Sequence, residues 1–164
     1  MAMYEDNEYR FIVACFSKAD VGRLFNVAGH AMAGLMDRLC ALRAGTAAEG
    51  ADGMAAIASE LLEAAGDFLD YRTKDAALHA RIARWPVVVL KTDRQNLLRR
   101  LYLAAKERGV PANPVVMEMV DENTEKQLAN TAAVTVGEAQ FVCVALFEKN
   151  GTLNDLTKKF SLMR

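Results

Sequence analysis

Apolar residues change their spacing several times along the chain, and each change marks an element. Tyr9–Phe16 (YRFIVACF) is a short run of aromatic and β-branched residues, the pattern of a buried strand. From Val21 to Ala44 the spacing lengthens. Leu24, Val27, Ala28, Ala31, Leu35, Leu39 and Leu42 recur every three or four positions, a stripe that one face of a helix would bury. Ser17-Lys18-Ala19-Asp20 stands before it with capping-box spacing, and Asp20 is the alternative cap. Gly45–Gly53 is rich in glycine and alanine and reads as a loop. Helical spacing resumes over Met54–Ala65 through Met54, Ile57, Leu61, Leu62 and Ala65. Phe68–Tyr71 and Leu78–Ile82 flank a polar turn at Thr73-Lys74-Asp75, and the second run alternates with His79 and Arg81. That pattern predicts a small β-hairpin.

The second half repeats strand and helix. Trp85–Leu90 (WPVVVL) is apolar on both faces, as interior parallel strands are. Thr92 with Gln95 has capping-box spacing and opens a helix carried by Leu97, Leu98, Leu101 and Ala105. Gly109 before Val110-Pro111 closes it. Val115–Val120 predicts a third strand, Glu122–Ala133 a short helix, and Phe141–Phe147 (FVCVALF) a fourth strand. Asn150-Gly151 turns the chain, Thr152 with Asp155 predicts a cap, and Phe160 and Leu162 at the end of the last helix should dock on the core. The alternation predicts an α/β fold with right-handed crossovers and a parallel sheet covered on both faces. No repeat, low-complexity tract or interdomain linker interrupts it.

Composition narrows the class. At 164 residues, 52% apolar and 25% charged, the chain has the make-up of one globular domain with a real core. No apolar run approaches the ~20 residues needed to span a bilayer. Met1–Arg10 is polar and acidic, unlike a signal peptide, so a cytoplasmic protein with no membrane partner is expected. The three cysteines (Cys15, Cys40, Cys143) lie in apolar segments without paired spacing and read as buried, reduced thiols. The net charge of −1 hides an asymmetry. Residues 1–70 carry five basic and eleven acidic side chains, hence −6, and residues 71–164 carry fifteen and ten, hence +5. Arg72, Lys74, Arg94, Arg99, Arg100, Lys158 and Lys159 are therefore either phosphate-contacting residues or the wet faces of their helices. They lack the interleaved aromatics that stack on single-stranded bases.

Two constellations carry candidate chemistry. At 100° per residue Arg23, Asn26, His30 and Asp37 fall in one polar stripe of the first helix, with Gly34 under His30. Such a row can hold an anion or carbonyl, and an imidazole transfers protons near neutral pH. The alternative is a histidine packed between helix and sheet. The second constellation follows from topology, because ligands of open α/β sheets collect beyond the carboxyl ends of the strands. Those ends are Ser17-Lys18, Lys91-Thr92-Asp93 and Asp121-Glu122. Lys18 and Lys91 would bind an anion with Thr92, Arg23 would orient the substrate, and Asp121 would act as base. The alternative is plain capping and surface charge. Ser17 lacks a predictable histidine neighbour, and His79 reads as exposed and idle. Two histidines with no HExxH and no cysteine pair predict no metal, and no cofactor is expected.

Several of these residues resemble a known family. The first strand, Gly22-Arg23 and then Ala28-Gly29-His30-Ala31 are similar to the opening of type II peptidyl-tRNA hydrolases. Leu156-Thr157-Lys158-Lys159-Phe160-Ser161-Leu162 is similar to their closing Val-Thr-Gly-His-Leu-x-Leu segment. The likeness is greatest to a related bacterial branch, domain-of-unknown-function family 2000, whose helix reads Asn-x-x-x-His-Ala, here Asn26 and His30-Ala31. The resemblance implies a three-layer α/β/α domain over 1–164 with a four-stranded mixed sheet, its last strand antiparallel, and a helix and hairpin inserted at about 45–84. In the hydrolases a helix lysine, a glutamine and an Asp-Ala-Gly-x-Thr turn hold and cleave the ester between peptide and tRNA. Those positions are Arg23, Val27 and Val120-Asp121-Glu122-Asn123-Thr124 here. The implied function is metal-independent hydrolysis of an ester or amide on an anionic, tRNA-like substrate; joined to the two constellations above, it makes Lys18, His30 and Asp121 the catalytic candidates and Arg23, Asn26, Lys91 and Thr92 the binding ones. The competing expectations are a non-catalytic module for a small anionic ligand or protein partner, lined by Met36, Met54, Met117 and Met119, and a homodimer joined through 54–82.

Overall fold

The computed structural model describes residues 7–46 and 55–163. Expectations for the first six residues, for most of the Gly/Ala-rich loop and for Met54 lie outside the described residues. Strand β1 (Tyr9–Phe16) leads into helix α1 (Val21–Arg43); then follow α2 (Ser59–Ala65) and a hairpin of β2 (Phe68–Arg72) and β3 (His79–Ala83). Strand β4 (Val87–Thr92), helix α3 (Gln95–Glu107), strand β5 (Ala112–Val116), a 3-10 turn at Met117–Met119 and α4 (Thr124–Ala132) come next. Strand β6 (Phe141–Lys149), the short α5 (Asn154–Thr157) and β7 (Ser161–Leu162) complete the order.

The main sheet has five strands in the order β5-β6-β1-β4-β7, not the four expected, because the two residues of β7 pair with Leu90 and Lys91. Only β1 and β4 pair in parallel; β1–β6, β5–β6 and β4–β7 are antiparallel. β6 runs antiparallel, so the sheet is mixed, as the resemblance implied for its last strand, and not the parallel sheet that the alternation alone suggested. Its first eight residues are buried, so it takes a central place. A run apolar on both faces identifies a central strand without fixing its direction. β5 is displaced to the edge, where Pro114, having no N–H to donate, is tolerated. It also lies earlier than Val115–Val120, because Met117–Met119 curl into the turn.

One layer of helix covers each face. Along β1, Phe11, Val13 and Cys15 meet Leu24, Val27, Ala31, Leu35 and Leu39 of α1, with α2 on the same side. Ile12 and Ala14 meet Leu97, Leu98, Leu101 and Ala105 of α3. Period-two alternation in the strand and three-to-four spacing in both helices thus resolve into two cores. Burying one such leucine contributes about 1.5–3 kcal/mol.

Local punctuation differs from expectation in four places. Asp20, not Ser17, caps α1 by accepting from Arg23 N at 2.9 Å. Thr92 Oγ1 accepts from Arg94 N at 3.2 Å instead of capping the helix, and α3 begins without a side-chain cap. Thr152 Oγ1 donates to Lys149 O, leaving Asp155 to a bidentate pair with Arg108 at 2.7 and 2.9 Å. Phe160 docks in the core, but Leu162 is half exposed on β7. The hairpin forms as expected and is anchored beside α2 by Trp85 Nε1 donating to Ala64 O at 3.0 Å.

Cys15 and Cys143 are register partners across β1 and β6, buried, with sulfurs 3.8 Å apart. Burial and that contact push the Cys143 thiol up. Cys40 departs from expectation, being exposed on α1. At the end of the sheet opposite the β1–α1 turn, Glu148 is fully buried. It accepts from Arg10 Nε at 2.8 Å and from Leu153 N at 2.9 Å, while Arg10 also donates to Asn154 Oδ1 at 2.9 Å. Burial pushes its carboxyl above the usual range, and the Arg10 guanidinium pulls it partly back.

Candidate functional site

The first three turns of α1, the middle of β5 and the turn after it enclose a cleft of about 710 Å³. Asp20 and Arg23 stand at its rim with Asn26 and His30 one and two turns along α1, and Asp121 faces them from the turn after β5. Arg23 Nη2 lies 2.6 Å from Asp121 Oδ2, and its Nε 3.8 Å from Asp20 Oδ2. Asp121 has φ 66°, a left-handed conformation uncommon outside glycine but accessible to aspartate. The turn is held around it. Gln127 Nε2 donates to Glu122 O at 2.7 Å, and Asn123 caps α4 by accepting from Lys126 N at 3.0 Å. Buried Val27 and Val115 form the floor.

Asn113 closes the inner end. Its Nδ2 donates to Ala31 O at 3.1 Å, an approach that depends on Gly34, where a Cβ would stand 2.5 Å from that nitrogen. Gly34 thus serves the close contact of α1 with β5.

The residues expected to share one mouth divide between two clefts. Arg23, Asn26, His30 and Asp121 line the first. Ser17, Lys91 and Thr92 line a second, of about 400 Å³, with Arg94 and Lys159. Lys18 is exposed in the β1–α1 turn and lines neither, and Asp37 is exposed farther along α1. The cause is the strand order. β1, β4 and β5 point the same way, but β6 stands between β1 and β5 and separates their carboxyl ends. His79 is exposed on the hairpin with Nε2 3.3 Å from Asp70 Oδ1. Among the described residues no group of His, Cys, Asp and Glu could hold a metal ion, and no helix is long and apolar enough to cross a membrane.

A family model described as "Protein of unknown function (DUF2000)" matches residues 9–164. The chain belongs to DUF2000. A solved structure of a protein of unknown function from Agrobacterium tumefaciens strain C58 is 18% identical, covers 96% of this chain and 99% of that one, and superposes with a TM-score of 0.69. At that identity the likeness establishes the fold. No curated protein is similar at a significant level. Neither the family description nor the solved structure names an activity, and neither links the chain to the peptidyl-tRNA hydrolases.

The two clefts of this DUF2000 chain differ in chemistry. The first has two carboxylates (Asp20, Asp121) against one guanidinium, with the His30 imidazole beside them, and among the described residues its lining holds no Ser, Thr, Cys, Lys or Tyr. Sequence reasoning missed Asp20, Asn113 and Gln127 as lining residues. Asn113 alone left a trace, as the one side chain with hydrogen-bonding groups in the strand Ala112–Val116.

Proposed function

We propose that the Arg23–Asp121 cleft of this DUF2000 protein binds a small bipolar molecule, carrying an acyl or carboxylate oxygen next to an ammonium or amide N–H, as amino acids and their acyl derivatives do. The observation that supports this is the side-by-side placement of donor and acceptor: Arg23 against Asp121 at 2.6 Å, with Asp20 beside them. A lone anion would meet two carboxylates there. A ligand with both signs would bond each group in kind. The volume of about 710 Å³ falls in the range of small-ligand sites, roughly 300–1,000 Å³. Asn26, an amide with both donor and acceptor, and His30 would fix orientation.

Thermal shift against free amino acids and N-acetyl amino acids tests the reading. At 100 times its dissociation constant a ligand adds ~2.7 kcal/mol, roughly 5–10 °C for a chain of this size. Arg23→Met and Asp121→Asn should each abolish that shift. A panel in which nothing moves the transition, or in which both variants respond like the parent, rejects it.

His30 favours a second reading, hydrolysis of an ester or amide in the same cleft without a metal. The imidazole would take a proton from an attacking water while Arg23 and Asn26 hold the carbonyl oxygen. Lys18, placed outside the cleft, takes no part in this version. N-blocked aminoacyl-tRNA is the probe. Release of the acyl group by the parent and its loss in His30→Gln support hydrolysis, and no turnover above background leaves binding alone. The homodimer reading draws on exposed Tyr71, Leu78 and Ile82 of the hairpin region; a monomer by light scattering at micromolar concentration removes it.

A further inference from the structure

We infer that the second cleft is a separate site for a phosphoryl group carried by a small molecule. It lies where the carboxyl ends of β1 and β4 meet the start of α3 and the start of β7, with Ser161 and Asp93 beside the residues already named. Lys91, Arg94 and Lys159 bring three positive charges to about 400 Å³, against the single carboxylate of Asp93. None of the three makes an ion pair among the described residues, whereas Arg10, Arg23, Arg81, Arg84 and Arg108 all do. Three cations gathered in a concavity with one carboxylate leave a net positive potential that an anion relieves.

The backbone holds these groups in place. Lys91 is half-buried in the sheet, with Cys15 on one side and Ser161 on the other as register partners. Ser17 N donates to Thr92 O at 2.8 Å, tying the end of β1 to β4. Thr92 is buried, and its hydroxyl oxygen takes the Arg94 N–H at 3.2 Å, fixing the residue that precedes α3. No side chain caps that 13-residue helix, so its amino end adds partial positive charge to the same hollow.

Two cations would satisfy a carboxylate. Three cations, the hydroxyls of Ser17 and Ser161 and a helix amino end suit the three oxygens and double charge of a phosphate monoester. The volume admits that group with a small organic body.

The test is titration with inorganic phosphate, glycerol 3-phosphate and acetate at constant ionic strength, followed by amide chemical shifts. Saturable shifts over 91–96 and 159–161 with both phosphates, and weak or no response to acetate, are expected. Lys91→Met and Arg94→Met should each weaken phosphate about tenfold or more. Arg100→Met, which removes the same charge from an exposed position on α3, should stay within about twofold of the parent. Tighter binding of glycerol 3-phosphate identifies a metabolite as the source, and equal binding identifies free phosphate. Should either variant fail to fold, Lys159→Met gives the same reading. Shifts that do not saturate, acetate matching phosphate, or Arg100→Met weakening binding as much as Lys91→Met would overturn the inference. None of these outcomes depends on the first cleft.

Discussion

Removing Arg10 should expose how much Glu148 depends on it. Glu148 has no exposed side-chain surface, and Arg10 keeps 15%. In Arg10→Met the apolar stem can still pack, but the carboxylate retains only the Leu153 N–H at 2.9 Å. Breaking a buried pair from one side costs about 3–5 kcal/mol because the remaining charge is left uncompensated. Since Arg10 reaches the surface, the lower end, about 3 kcal/mol, is the expected loss, or roughly 6–12 °C in Tm for this chain length. The pH dependence has a definite sign. Burial already raises the folded-state pKa of Glu148, and losing the guanidinium raises it further. A group whose pKa is higher folded than unfolded stabilises below its unfolded value and loses that contribution as pH rises through the folded value. The gap between parent and variant should therefore be widest near pH 8 and narrow toward pH 5. Urea denaturation at both pH values measures it, and Arg10→Met with Glu148→Gln should recover part of the loss. A gap under about 1 kcal/mol, equal gaps at both pH values, or a double variant no more stable than Arg10→Met would refute the reasoning.

Other perturbations follow from single features. Gly109→Ala should cost about 2 kcal/mol or more in urea denaturation, since φ is +64° and a Cβ would stand 2.4 Å from Ala56 O; parental stability would contradict that. The Arg108 pair holds the Asp155 carboxyl at about 2. Its contribution is present above the unfolded value of ~3.9 and fades as pH falls through about 2. In Arg108→Gln an NMR titration should return Asp155 to the ordinary carboxylate range. A thiol reagent should modify Cys40 quickly in the native protein, and Cys15 and Cys143 only on unfolding. Three thiols reacting at one rate would contradict their burial.

Much of the fold was legible because it follows from spacing. Val21–Arg43 kept its three-to-four stripe, and all five buried positions of α1 belong to it. Strand order was not legible. Trp85–Leu90 and Phe141–Phe147 look alike as apolar runs, yet β4 pairs with β1 in parallel and β6 pairs with it antiparallel. The register that decides this is set by contacts 76 residues apart for β4 and 128 to 140 apart for β6. The candidate site suffered for the same reason. Of the row read from 100° per residue, Arg23, Asn26 and His30 share the first cleft and Asp37 lies outside it. Residues gathered from separate strand ends were pooled into one mouth that β6 divides in two.

The lateness of β6 also bears on how the chain becomes folded. β1, complete by Phe16, lies between β4 and a strand that starts only at Phe141. Until that segment leaves the ribosome, one flank of β1 has no partner, and the apolar faces of α1 and α3 have half a sheet to cover. Pairings so distant in sequence must close long loops before they gain anything, which slows folding and prolongs exposure of sticky surface. A chain halted before Lys149 should therefore remain uncollapsed or aggregate, and nascent copies have reason to need a chaperone until the ninth residue of β6 is through.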